Sequence, residues 1–169
     1  MKKIQTHQMY GFITGLVMVI ISVVLYITGL GFEPWAQYIT YIPFLIGLIM
    51  NAQAYAKAND HYVTYGNVWG SCFKASAIIT LVVLAGSVLM IFIFPEMREK
   101  GMEIARERMA EKNLSDEQID QTLQMTEKFF VPFMIGGIVF GTMFVGAILS
   151  LIAAAIPKKK GDGLPPVAQ

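Results

Sequence analysis

Four glutamates, Glu99, Glu103, Glu107 and Glu111, recur every fourth residue through the stretch MREKGMEIARERMAEK. On a helix that spacing stacks the carboxylates along one face, and each like-charged pair costs about 0.2–0.5 kcal/mol. An acidic ridge of this kind has two chemical uses: a docking edge for a cationic partner, or a weak site for a divalent ion. Its ordinary reading is a solvated face, compensated in part by Lys100, Arg106 and Arg108. Little other chemistry is on offer. His7 and His61 have no cysteine companion and only Asp60 as a close carboxylate, and Cys72 is the sole cysteine, so it forms no internal disulfide. The chain has no glycine-rich phosphate loop, nucleophile elbow or HExxH element. These residues assign no catalytic, cofactor-binding or metal site, and the expectation is a protein that is not an enzyme.

The elements that position these residues belong to a membrane. The chain has 169 residues, 55% of them hydrophobic and only 15% charged, with a mean hydropathy of +0.55. The charges gather at the termini, in one short connection and in the glutamate-bearing stretch. A net charge of +1 and the lack of a basic tract with interleaved aromatics argue against nucleic acid. Four segments, about 8–30, 34–56, 69–94 and 132–156, reach the roughly 20 apolar residues needed to cross about 30 Å of hydrocarbon. Lipid offers no hydrogen-bond partner to the backbone, so each is a helix. The first follows Met1-Lys2-Lys3 but is longer than a signal core of about 7–15 residues, which reads as an uncleaved span.

Turn residues set the connectivity. Gly29-Leu30-Gly31-Phe32-Glu33-Pro34 makes a short reversal, and Asn59, Asp60, His61, Gly66 and Asn67 make a second connection on the opposite side. Both termini then share a side that carries seven cations against six on the other, and the terminal lysines flank spans directly. This places both termini in the cytoplasm. The tail 157–169 has no core-building pattern and is expected to be disordered, its lysines touching anionic lipid.

Residues 95–131 read as an extracytoplasmic helical hairpin extending spans three and four. Strong helix formers run from Glu96 to Lys112, with a thin seam of Met102, Ala105 and Met109. Ser115 and Gln118 then make an S-x-x-Q capping box, stapled by Leu114 and Ile119. The simplest assembly kinks at Pro95 and lifts the tip by roughly 25 Å. The fold class is all-α: an integral membrane four-helix bundle, 1–156, with that hairpin.

Within the spans, small residues recur at four-residue spacing as Gly11/Gly15 and Gly137/Gly141, extended by Gly146/Ser150, which lets helices approach closely. Packing within the bundle is expected of them ahead of homodimerisation. No ionisable residue sits deep in a span; Lys74 lies near the interface and can snorkel.

The chain resembles a bacterial domain-of-unknown-function family of small four-span inner-membrane proteins. The resemblance rests on Tyr65-Gly66-Asn67 through Phe73-Lys74-Ala75, the Leu-Ser-Asp-Glu-Gln-Ile-Asp-Gln turn, the Met125-Thr126-Glu127-Lys128-Phe129 run and the Ala-Ala-Ile-x-Lys-Lys-Lys end. It implies a fold and a location and carries over no catalytic residue. The function that follows is a non-enzymatic accessory or scaffold protein offering the hairpin to an envelope partner. Besides the lipid bilayer, the partners expected are an envelope protein or further copies of the chain; an oligomeric small-solute transporter or channel is the alternative. A cavity lined by Thr14, Thr80, Thr142 or Asn51 would favour the latter.

Overall fold

In hydrocarbon the backbone satisfies its own hydrogen bonds, and apolar runs of this length do so as helices. The computed structural model describes residues 5–33, 35–112 and 114–160. Among them are six helices and no strand: α1 (Thr6–Ile27), α2 (Ala36–Ala58), α3 (Tyr65–Ile93), α4 (Glu96–Glu111), α5 (Asp116–Lys128) and α6 (Phe130–Ala155). α1, α3, α6 and Tyr38–Ala58 of α2 are long and apolar enough to cross a membrane. The protein is an all-α, multi-pass membrane protein in contact with the bilayer.

The helix ends follow from local chemistry. α1 stops where Gly29 takes φ 78°, which lets the Leu30 N–H reach the Leu25 carbonyl. α2 ends the same way without a glycine: Asp60 adopts φ 51° and the His61 N–H bonds the Ala56 carbonyl. α3 begins four residues before the expected 69. The Thr64 hydroxyl accepts from the Asn67 N–H at 3.2 Å, so Gly66 and Asn67, read as turn formers, belong to its first turn. Pro34 lies outside the described residues.

Packing is organised by small residues. α1 and α3 run parallel: a Cβ on Gly11 would meet the Ala75 carbonyl and Ile78, one on Gly15 would meet Val82, and one on Gly86 would meet Val19. A Cβ on Gly47 would overlap Thr14, joining α1 to α2, and one on Gly146 would meet Ser76 and Phe44, joining α6 to α3 and α2. The tight core of Phe44, Leu48, Ala52, Cys72, Ile79 and their neighbours lies toward the end bearing Gln5 and Lys160, here the proximal end. Its buried hydroxyls are satisfied locally, Ser76 and Thr80 donating to the Cys72 and Ser76 carbonyls at 3.1 and 2.8 Å. The opposite, distal half is looser. Every buried residue of α6 is at Gly146 or beyond, whereas Phe140 is 79% exposed.

At the distal end α3 does not continue into α4 as one kinked helix. Phe94 leaves helical geometry at φ −125°, ψ 72°. Tyr26 donates to Glu96 at 3.1 Å and lays its ring 4.9 Å from that of Phe94. Gly101, Ile104, Ala105 and Arg108 line a cleft together with Gly31, Phe32 and Glu33 of the α1–α2 turn, so α4 lies beside that turn across an open gap.

The two expected glycine pairs have different surroundings. Gly11 and Gly15 are buried at the α1–α3 crossing, whereas a Cβ on Gly137 or Gly141 would meet nothing within 4 Å, so that exposed pair packs against no other helix among the described residues. Gly15→Val should therefore lower unfolding stability in detergent micelles by about 1–3 kcal/mol. Gly141→Ala should change it by less than about 0.5 kcal/mol. Equal losses in the two variants would contradict this packing.

Candidate functional site

The proximal end gathers polar groups from three helix ends. On α3, Asn67, Gly70, Ser71 and Lys74 share a face; on α2, Tyr55, Ala58 and Asn59 do the same. Together with Gln5, Thr6, His7 and Gly66 they line an open cleft of about 560 Å³. Space is left at the glycines, since a Cβ on Gly70 would meet nothing within 4 Å. Lys74 is exposed and, among the described residues, has no carboxylate within 4.0 Å; no Asp or Glu lines this cleft.

Beneath it the polar groups close on one another. Ser71, 95% buried, accepts from the Asn51 amide at 3.2 Å. The same amide reaches Cys72 Sγ at 3.6 Å, and the Cys72 thiol donates to the Leu48 carbonyl at 3.5 Å. Asn51 Oδ1, fully buried, has no hydrogen-bond partner among the described residues. Phe44, Leu48 and Ile79, all fully buried, seal the bundle below.

A clasp borders this end. His61 Nδ1 lies 3.0 Å from the Lys158 carbonyl, the Lys160 N–H donates to the His61 carbonyl at 2.9 Å, and the Tyr65 hydroxyl donates to the Leu151 carbonyl at 2.8 Å. Residues 157–160 of the expected disordered tail are thus tied down, with Lys159 Nζ 5.1 Å over the Tyr65 ring. Residues 161–169 lie outside the described residues. The two histidines go to different places, His7 to the cleft and His61 to the clasp.

At the distal end the capping box forms as the sequence predicts. Ser115 Oγ accepts from the Gln118 N–H at 3.4 Å, and Gln118 Oε1 accepts from the Ser115 N–H at 3.2 Å. Ile119 is buried, whereas its expected staple partner Leu114 is 39% exposed; Asn113 lies outside the described residues. Two ion pairs that spacing did not reveal join α4 to α5: Arg106 to Asp120 at 3.1 Å and Arg98 to Glu127 at 3.4 Å. Arg98 also stands 5.5 Å over the Phe130 ring. These pairs are largely solvated and contribute about 0–1 kcal/mol each, so they fix orientation more than stability. Their consequence for the glutamates is larger. Arg98 and Arg106 are turned toward α5, while Glu99, Glu103, Glu107 and Glu111 are all exposed and, among the described residues, none has a cation within 4.0 Å.

A second cleft, of about 460 Å³, opens in the loose distal half, lined by all four spans together with α4 and the α1–α2 turn. Its walls are mostly apolar, Leu25, Met90, Ile91, Phe130 and Met134 among them. Sequence reasoning missed both clefts. The available signal for the proximal one was the Asn67, Ser71, Lys74 periodicity at the start of an apolar span.

The family described as protein of unknown function (DUF4199) matches residues 9–159, and the chain belongs to it. No curated protein and no solved structure matches the chain.

Ser115→Ala removes the α5 cap and should cost that helix about 1 kcal/mol. Amide hydrogen exchange at Gln118 and Ile119 should accelerate about fivefold while α1 and α3 stay unchanged. Unaltered exchange at Gln118 would contradict the cap's role.

Proposed function

We propose that this DUF4199 member is a non-enzymatic accessory or scaffold protein of the bacterial cytoplasmic membrane. It presents α4 and α5, as an extracytoplasmic helical hairpin, to a cationic surface on an envelope partner. The observation that carries this reading is the division of charge on α4: Arg98 and Arg106 bridge to α5, and the four glutamates are exposed and, among the described residues, form no ion pair. Like-charged neighbours a turn apart weaken a helix, so the row is explained better by what it meets than by what it stabilises. The two bridges orient α4 against α5. A pre-positioned charged surface steers encounter and sets specificity with little ordering cost.

Cytoplasmic termini are supported by Lys57 and the Lys158–Lys160 run at the proximal end and by the absence of Lys and Arg from the α1–α2 turn. Conduction through a single chain has less support. Thr14, Thr80 and Asn51 are buried, neither cleft is lined by them or by Thr142, and Phe44, Leu48 and Ile79 fill the section between.

The test is a photoactivatable residue at Leu114 in living cells, combined with Gln at positions 99, 103, 107 and 111. A protein partner should be captured, and the four substitutions should reduce capture about tenfold or more, a loss of about 1.4 kcal/mol. Capture of lipid alone, or capture unchanged by the substitutions, would refute the reading.

A further inference from the structure

We propose that the proximal cleft is a binding site for a phosphate group. Four observations converge on it. The cleft holds a cation, Lys74, with no carboxylate within 4.0 Å among the described residues, and no acid lines its walls. Neutral hydrogen-bonding groups line the same cleft: Tyr55 from α2 and Asn59 at its C-terminal cap, Asn67 and Ser71 from α3, and His7 from α1. The first turn of α3 opens into it at Gly66 and Asn67, adding the positive end of a 29-residue helix. Its volume of about 560 Å³ falls within the roughly 300–1,000 Å³ of small-ligand sites.

A lysine in the first turns of a membrane helix ordinarily reaches outward along lipid to the interface. Here Lys74 instead shares the α3 face with Asn67, Gly70 and Ser71 and lines the cleft they form with α2 and α1. Phosphate suits this lining better than a cation or an apolar ligand does. It presents several acceptor oxygens to several donors, and lysine binds it as a compact point charge. The glycine at 70 leaves room for such a group to approach the α3 backbone. At the level where three helices begin or end, the phosphate could belong to a phospholipid headgroup or to a water-soluble phosphate. Both use the same contacts, and the experiment separates them.

The full chain, freed of phospholipid in alkyl maltoside micelles that carry no phosphate, is titrated with inorganic phosphate. In a parallel arm, mixed phosphatidylglycerol and diacylglycerol are offered, and lipid retained by the protein is counted by native mass spectrometry. Binding in the first arm assigns a soluble phosphate; selective retention of phosphatidylglycerol in the second assigns a headgroup; either supports the site. In whichever arm binds, Lys74→Gln should weaken binding about tenfold, Lys74→Arg should restore most of it, and Lys57→Gln, outside the cleft, should leave it unchanged. Melting temperatures of the three variants report their folding. Binding in neither arm, or binding weakened equally by Lys74→Gln and Lys57→Gln, would overturn the assignment.

Discussion

The whole arrangement depends on how closely α1 and α3 approach. Between two helices in lipid there is no water to expel, so association relies on dispersion and on the few hydrogen bonds that cross the interface. Dispersion falls steeply with separation, and only small residues bring backbones near enough. Gly11, Gly15 and Gly86 supply that contact along most of the α1–α3 crossing, and Gly47 against Thr14 and Gly146 against Ser76 extend it to α2 and α6. Each of these glycines faces a neighbour that a Cβ would displace.

Where such contacts are dense the bundle is sealed, and where they stop it opens. The buried residues of α6 begin only at Gly146, and nothing among the described residues stands within 4 Å of a Cβ on Gly137 or Gly141 in its distal half. This gives the molecule its polarity. The proximal end is a packed core capped by a polar cleft and a clasp through His61; the distal end is an apolar cleft under α4, with the acidic edge above it. The two ends therefore offer different chemistry to the two sides of a membrane.

Much of this was legible in the sequence for physical reasons. Lipid permits few structures, so length and apolarity alone predict the four spans, and the Ser115–Gln118 box is local enough to read from four residues. What depends on tertiary placement was not legible. Gly11/Gly15 and Gly137/Gly141 have the same spacing but opposite surroundings, because spacing fixes a face and not what stands opposite. Arg106 reads as a compensator of its own helix until α5 returns beside it and Asp120 takes its guanidinium. The tail reads as disordered, its lysines touching anionic lipid, until the His61 carbonyl is found bonded to the Lys160 N–H. Lys74 reads as a snorkelling residue until α1 and α2 bring His7 and Tyr55 to the same cleft.

An accessible polar cleft lies directly on a sealed core, with the boundary falling between Gly70 and Cys72. The native cysteine makes that boundary measurable, since Cys72 is fully buried against Asn51 and Leu48. A hydrophilic maleimide applied to the folded protein in micelles should leave the wild type unmodified and label the Gly70→Cys variant once, with a second label only after denaturation. Labelling of Cys72 in the folded wild type at the rate of the residue-70 cysteine would contradict the account.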